Sequence, residues 1–231
     1  MDLPQAMVAA IGKLGQAHMA FVAEAYADLG SGPAKAKIIP IYTRIDSLAG
    51  ESTSKIDCRN GCDFCCHYHV YATPLEIFAI AEEVQSWDPT KSGELGSKLR
   101  GYVSEVKGLG REGHIRANIA CVFLDRGSCS IYPVRPLACR RHHSADREVC
   151  ERTYHNPRSL EAAQQDKHRI VVSAAFETVH AEYHRYRGYD RDAYEFHSAL
   201  LEALSEPIAR QRWKAGQRAF RTVTDRTASQ I

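Results

Sequence analysis

Apolar side chains recur at three- and four-residue steps along most of the chain, the period of helices that bury one face. Residues 4–29 place Met7, Ile11, Leu14, His18, Phe21 and Ala25 on one stripe, and Ser31, Gly32 and Pro33 end it. A second helix is expected over 34–48, through Ile38, Ile39, Ile41, Tyr42 and Ile45, kinked or shortened by Pro40. Thr73, Pro74 and Glu76 supply an N-cap, a first-turn proline and a capping-box acid for a helix continuing through Ile77, Ile80, Ala81, Val84 and Trp87. Further helical patterns cover 92–109, 159–186, 190–204 and 207–220. Two stretches break the period: residues 50–71, and the turn-rich 119–150 with Pro133 and Pro136. The pattern predicts a mainly α fold, a single helical domain over 1–231 with two cysteine-rich loops organised around a metal centre. Its parts are N-terminal helices in 1–50, a cysteine-cluster core in 51–150 and C-terminal helices in 151–231.

Composition narrows the class. At 231 residues, 44% hydrophobic and 25% charged, the chain can bury a core, which argues against disorder and collagen-like repeats. No run approaches the roughly 18 consecutive apolar residues of a spanning helix, and Lys13 and His18 interrupt the early apolar positions, so no membrane segment and no leader peptide are expected. The net charge of +2 disfavours a global polyanion-binding role. From Pro207 onward, Arg210, Arg212, Lys214, Arg218, Arg221 and Arg226 face one acid, Asp225. This basic stretch carries Trp213 but no recognition motif, and a solvated face rather than nucleic-acid binding is expected of it.

The eight cysteines change the picture most. They are too sparse for a disulfide scaffold, which has more than about 8% Cys. In the cytoplasm, the compartment expected here, clustered thiols more often hold metal. Cys58, Cys62, Cys65 and Cys66 follow one another at short spacings around Gly61, letting one loop turn several sulfurs toward a point. Cys121, Cys129 and Cys139 form a second group, with Cys150 an outside candidate. The seven clustered cysteines are the expected metal ligands. Arg135 and Arg140 are expected beside the centre, where guanidinium groups offset thiolate charge and donate hydrogen bonds to sulfur. Adjacent side chains diverge, so Cys65 and Cys66 are not expected to bind one zinc ion together.

The run Cys58, Cys62, Cys65, Cys66, followed by Cys121 and then Cys129, Ile131, Tyr132, Arg135, Pro136, Cys139 and Arg140, resembles the YkgJ-type cysteine-cluster family, a zinc- or iron-chelating domain. The resemblance covers about residues 58–140. It is distantly similar to the cysteine domain of flagellin lysine N-methylases, which implies iron–sulfur chemistry linked to S-adenosylmethionine. On this reading the chain holds an iron–sulfur centre of the [4Fe–4S] kind for redox or methyl-transfer chemistry on an unknown substrate. The alternative is a non-catalytic zinc module that organises loops or binds a partner. More sulfurs are offered than one zinc uses, which favours iron–sulfur.

Other motifs carry less. Gly108, Gly110 and Gly113 match the letters of a dinucleotide fingerprint, but a helical pattern precedes them and no acid stands about 20 residues on, so a helix-terminating loop is expected. Glu177, His180 and His184 share a helix face and could ligate metal, but a solvated polar stripe is the expected role. His67, His69, His142 and His143 flank the cysteine groups, where imidazole could replace a thiolate or shuttle protons. Surface or supporting positions are expected for them.

Overall fold

A computed structural model describes residues 4–227. Ten α-helices alternate with loops among these residues, and the strands are two or three residues long. The N-terminal pair is α1 (Gln5–Ala25) and α2 (Ala34–Ala49), which keeps Pro40 inside it. After the first cysteine loop come β1 (Tyr71–Ala72), α3 (Pro74–Gln85), α4 (Pro89–Val106) and α5 (Gly110–Arg116). The second cysteine segment holds β2 (Leu124–Asp125), β3 (Ser128–Cys129), α6 (Leu137–Arg141) and α7 (Arg147–His155). The chain ends in α8 (Lys167–Arg187), β4 (Ala193–Glu195), α9 (Phe196–Ser205), α10 (Ala209–Lys214) and β5 (Arg226–Thr227).

The mainly helical expectation holds, and the departures have local causes. Asp88 caps α4 by accepting from the Thr90 N–H, with Pro89 at the first helical position, so α4 begins three residues before the periodic stripe that started at Ser92. Residues 107–109 separate α4 from α5, as expected of the glycine-rich stretch. Helix α8 starts only at Lys167, where the Asp166 carboxylate accepts from the Arg169 N–H. The basic stretch yields a helix of six residues rather than fourteen, because Trp213 is fully buried and the chain then turns at Gly216.

One continuous core joins α2, α3, α8 and α9 with the two aromatic residues Trp213 and Phe220. Helix α1 lies along α8, and Gly15 permits the approach: a Cβ there would sit 3.2 Å from Val179 Cγ2. Among the described residues α1 alone is long and apolar enough to cross a membrane by length and composition, with Lys13 and Glu24 its only charges. This corrects the expectation of no such stretch: alanines interspersed with larger apolar residues reach the threshold without an unbroken apolar run.

Two buried carboxylates tie the layers together. Glu76 accepts from the Tyr42 hydroxyl of α2 at 2.9 Å, from the Leu137 N–H that opens α6 at 2.6 Å, and from the N–H and hydroxyl of Thr73 at 2.8 Å each. One capping-box acid thus docks the cysteine-bearing α6 onto α2 and α3. Glu202 accepts from Arg212 Nη2 at 2.8 Å and from the N–H groups of Arg221 and Thr222 at 2.7 and 2.9 Å, folding the C-terminal segment back over α9. The basic residues there are not a solvated face. Arg212 is buried between Glu202 and Glu206, Arg210 pairs with Glu82, and Arg226 pairs with Asp192.

The histidines of α8 are also not a polar stripe in solvent. His184 is buried and stacks on His180 with ring centroids 4.0 Å apart, and the Tyr26 hydroxyl bonds His180 Nδ1 at 2.8 Å. Burial holds His180 down to about 4. Its folded value lies below the unfolded one, so its contribution is complete above pH 6.5 and lost as pH falls through 4. Acidification across that window is expected to remove up to about 3 kcal/mol, and His180→Gln should flatten the loss in denaturant titrations at pH 7 and 4.5. Glu76→Ala, which strands buried donors on three elements, is expected to lower stability by about 3–5 kcal/mol in the same measurement.

Candidate metal centre

Local geometry brings the two cysteine loops together. Phe64–His67 forms one 3-10 turn carrying Cys65 and Cys66. The Cys66 carbonyl accepts from the Cys121 N–H at 2.8 Å, stitching the first loop to the second. Strands β2 and β3 make a hairpin whose turn, Arg126-Gly127, has both residues at positive φ, 48° and 77°. Gly127 lies against Gly61, itself at φ 82°, and a Cβ on Gly127 would sit 3.4 Å from the Gly61 Cα. Beside this contact the Ser128 hydroxyl donates to Asn60 Oδ1 at 3.0 Å. On the other side, the Asp57 N–H donates to the Ser144 carbonyl at 2.9 Å, and the Ser144 N–H donates to Cys58 Sγ at 3.3 Å.

All eight cysteines are free thiols. Burial, and then the charges of Cys65, Cys62 and Cys150, raise the Cys58 thiol. Hydrogen bonding to Cys66, followed by burial, pushes Cys65 far up. Burial and the charges of Cys121 and Cys65 raise Cys129 and Cys139, while Arg135 acts in the opposite direction on both. Burial with Cys62 and Cys65 raises Cys150. Thiols packed this way suppress one another's ionisation unless a cation is present, which is the electrostatic signature of a chelating site. Their chemistry therefore fits zinc or iron as a bound ion.

The thiols fall into two neighbourhoods that share Cys65. Cys58, Cys62 and Cys150 lie on one side, and Cys121, Cys129 and Cys139 on the other. Cys150, outside the sequence pattern, is buried on α7, which packs on the 3-10 turn; Asp146 caps α7 by accepting from the Glu148 and Val149 N–H groups. Asp146 at a helix start, four residues before a cysteine, was the available signal. Among the described residues no three sulfurs lie within 4.8 Å of one another; the set that does is His69, His114 and Asp225.

Arg135 stacks over Tyr132 at 3.5 Å, and its charge acts to lower Cys65, Cys129 and Cys139. Arg140 does not share that place. It pairs with Asp46, donates to the Pro133 carbonyl at 2.7 Å and lies over the Tyr42 ring, so it anchors α6 to α2. His67 Nδ1 contacts the Asp63 carbonyl at 3.2 Å, and His143 bridges the Arg141 carbonyl and the Asp166 N–H at 2.7 Å each. Glu177 is paired with Arg141, away from the two stacked histidines.

Sequence reasoning missed His197. Its Nε2 lies 3.3 Å from Cys121 Sγ and its Nδ1 3.2 Å from Glu195 Oε1, with both side chains buried. Against burial, which would lower it, the charges of Cys121 and Glu195 raise His197 to about 9. Against burial, which would raise it, the His197 contact lowers Glu195 to about 2. The imidazolium form donates from Nε2 to the Cys121 sulfur. No short-range motif joins positions 121, 195 and 197, so only the folded chain reveals the trio.

Residues 57–168, just under half of the chain, match the CxxCxxCC family, described as "Putative zinc- or iron-chelating domain". The match is to a metal-binding cysteine-cluster domain, and it reaches past Cys139 to include Cys150. No curated protein and no solved structure matches the chain, and the similarity to flagellin lysine N-methylases is not shown. Cys150→Ala is expected to weaken metal retention by about tenfold or more, whereas Arg140→Ala should leave metal per chain unchanged and lower only stability. Gly127→Val, strained at positive φ, should also lower metal content. Elemental analysis of purified variants checks all three.

Proposed function

We propose that the cysteine centre holds an iron–sulfur cluster of the [4Fe–4S] kind and serves redox or methyl-transfer chemistry in the cytoplasm. The observation that carries this reading is the number and spacing of the sulfurs. A single zinc ion with bonds of about 2.3 Å gathers four sulfurs at edges of about 3.8 Å. Eight free thiols are offered here, and no three of their sulfurs close to that degree among the described residues. A [4Fe–4S] cluster takes its four thiolates at wider sulfur spacing.

When bound, such a cluster supplies one-electron transfer. The chain's own residues would position and tune it. Arg135 offsets negative charge near three of the thiols, and His197, oriented by Glu195, donates to Cys121. A cavity of about 740 Å³ with largely apolar walls adjoins this region, lined on one side by Leu137, Ala138 and Arg141 of the helix that carries Cys139. That volume suits a small organic substrate.

A second reading is favoured by the division of the thiols into two neighbourhoods. With Cys65 and Cys66 each assigned to one side, the chain offers two four-sulfur sets, the donor count of two structural zinc ions. The test is anaerobic purification with elemental analysis and visible absorption. Iron with acid-labile sulfide and a broad visible band is the expected result. Two zinc ions per chain with no visible band would replace the iron–sulfur reading with the zinc module.

A further inference from the structure

We propose that His69, His114 and Asp225 form a second, mononuclear site for a divalent first-row transition ion, separate from the thiols. These residues come from three distant parts of the chain: the segment before β1, helix α5, and the residue before β5. Their ligand atoms all lie within 4.8 Å of one another. His69 Nε2 and Asp225 Oδ2 are 2.8 Å apart, close to the roughly 3 Å edge between neighbouring donors on an ion with bonds of about 2.1 Å. The His69 and His114 ring centroids are 4.6 Å apart. Movement of the third donor by up to about 2 Å completes the set.

The surroundings are those of a built site. Both imidazoles are buried, with the His69 side chain 4% exposed, while the Asp225 side chain remains partly open. The Tyr71 hydroxyl donates to Asp225 Oδ1 at 2.5 Å and so leaves Oδ2 turned to His69. The Tyr102 hydroxyl contacts His114 Nε2 at 2.7 Å, which fixes the ring. Glu195 is near enough to act on His114 electrostatically, and a second carboxylate beside the site favours a dication. The Asp225 carbonyl accepts from the Glu195 N–H at 2.9 Å, so the sheet β1-β4-β5 sets the position of this ligand.

Two nitrogens and one carboxylate oxygen suit iron(II), zinc or manganese(II) and leave coordination positions for an exogenous ligand. His69 and Tyr71 line the 740 Å³ cavity, so an ion there is reachable from it. The same cavity wall carries Arg191, whose Nη1 is buried without a hydrogen-bond partner. From this site contacts run continuously to the thiols: His114 to Tyr102, the Tyr102 ring tilted against His197 with centroids 3.9 Å apart, and His197 to Cys121. The site does not depend on which metal the cysteines hold.

The test uses anaerobically purified protein with its thiol-bound metal in place, titrated with cobalt(II). One further equivalent is expected to bind and to give visible ligand-field bands without sulfur-to-cobalt charge transfer. Asp225→Asn and His114→Ala should each weaken that binding by about 100-fold or more, and Tyr71→Phe by about tenfold, with thiol-bound metal per chain unchanged. Circular dichroism identifies any variant that fails to fold, and Tyr71→Phe, which keeps all three donors, then decides. No additional equivalent in the wild-type protein, cobalt bands with sulfur charge transfer, or unchanged binding in folded Asp225→Asn would overturn the proposal. Because iron and zinc at the thiols are counted separately, failure here is distinct from failure of the iron–sulfur reading.

Discussion

Mutual repulsion among thiolates is the constraint around which this chain is organised. A loop that places four sulfurs within nine residues of one another cannot ionise them without a counter-charge, and burial raises five of the thiols further. The fold answers with rigid attachment rather than with charge alone. The Gly61–Gly127 contact, the Cys66–Cys121 backbone bond and the Asp57–Ser144 bond hold the two loops from three sides. Loops of this kind would otherwise separate to relieve the repulsion, so the attachments and a metal held by the thiols would stabilise each other.

The helices serve the same end at longer range. Glu76 does two jobs with one carboxylate, closing the capping box of α3 and holding the first turn of α6, the helix that carries Cys139. Arg140 completes that anchorage from the other end of α6 by reaching α2. The contrast with Arg135 is instructive. Two arginines five residues apart in one loop separate into a charge beside sulfur and a structural clamp, because the intervening residues enter a helix and turn the second side chain toward Asp46 and Tyr42. The C-terminal basic residues likewise serve internal carboxylates, and the local charge excess is spent inside the fold.

The two ends of the Cys121, His197 and His114 contact chain differ in donor type, sulfur at one and nitrogen with oxygen at the other. Soft and borderline donors sort metals by chemistry, so two sites of this kind in one molecule would not compete for the same ion on equal terms. The large cavity touches both the cysteine-bearing α6 and the histidine site, which makes it the natural meeting place for the chemistry of each.

Helical period, capping signals and thiol spacing, all local properties, were legible directly. The mainly α class, the start of α3 at Thr73 and Pro74, the helix break at Gly108 and the match to a zinc- or iron-chelating cysteine domain all follow from residues within a few positions of one another. What the tertiary structure decided are the relations between distant residues. The place of Cys150 depends on α7 packing against the 3-10 turn, the burial of His180 and His184 on α1 covering α8, the meeting of His69 with Asp225 on a sheet built from residues more than a hundred positions apart, and that of Cys121 with His197 on α9 reaching the second cysteine loop. Periodicity specifies which face of an element is buried, but it carries no record of which other element covers that face. Side chains brought together by that packing therefore leave no pattern in the sequence to read.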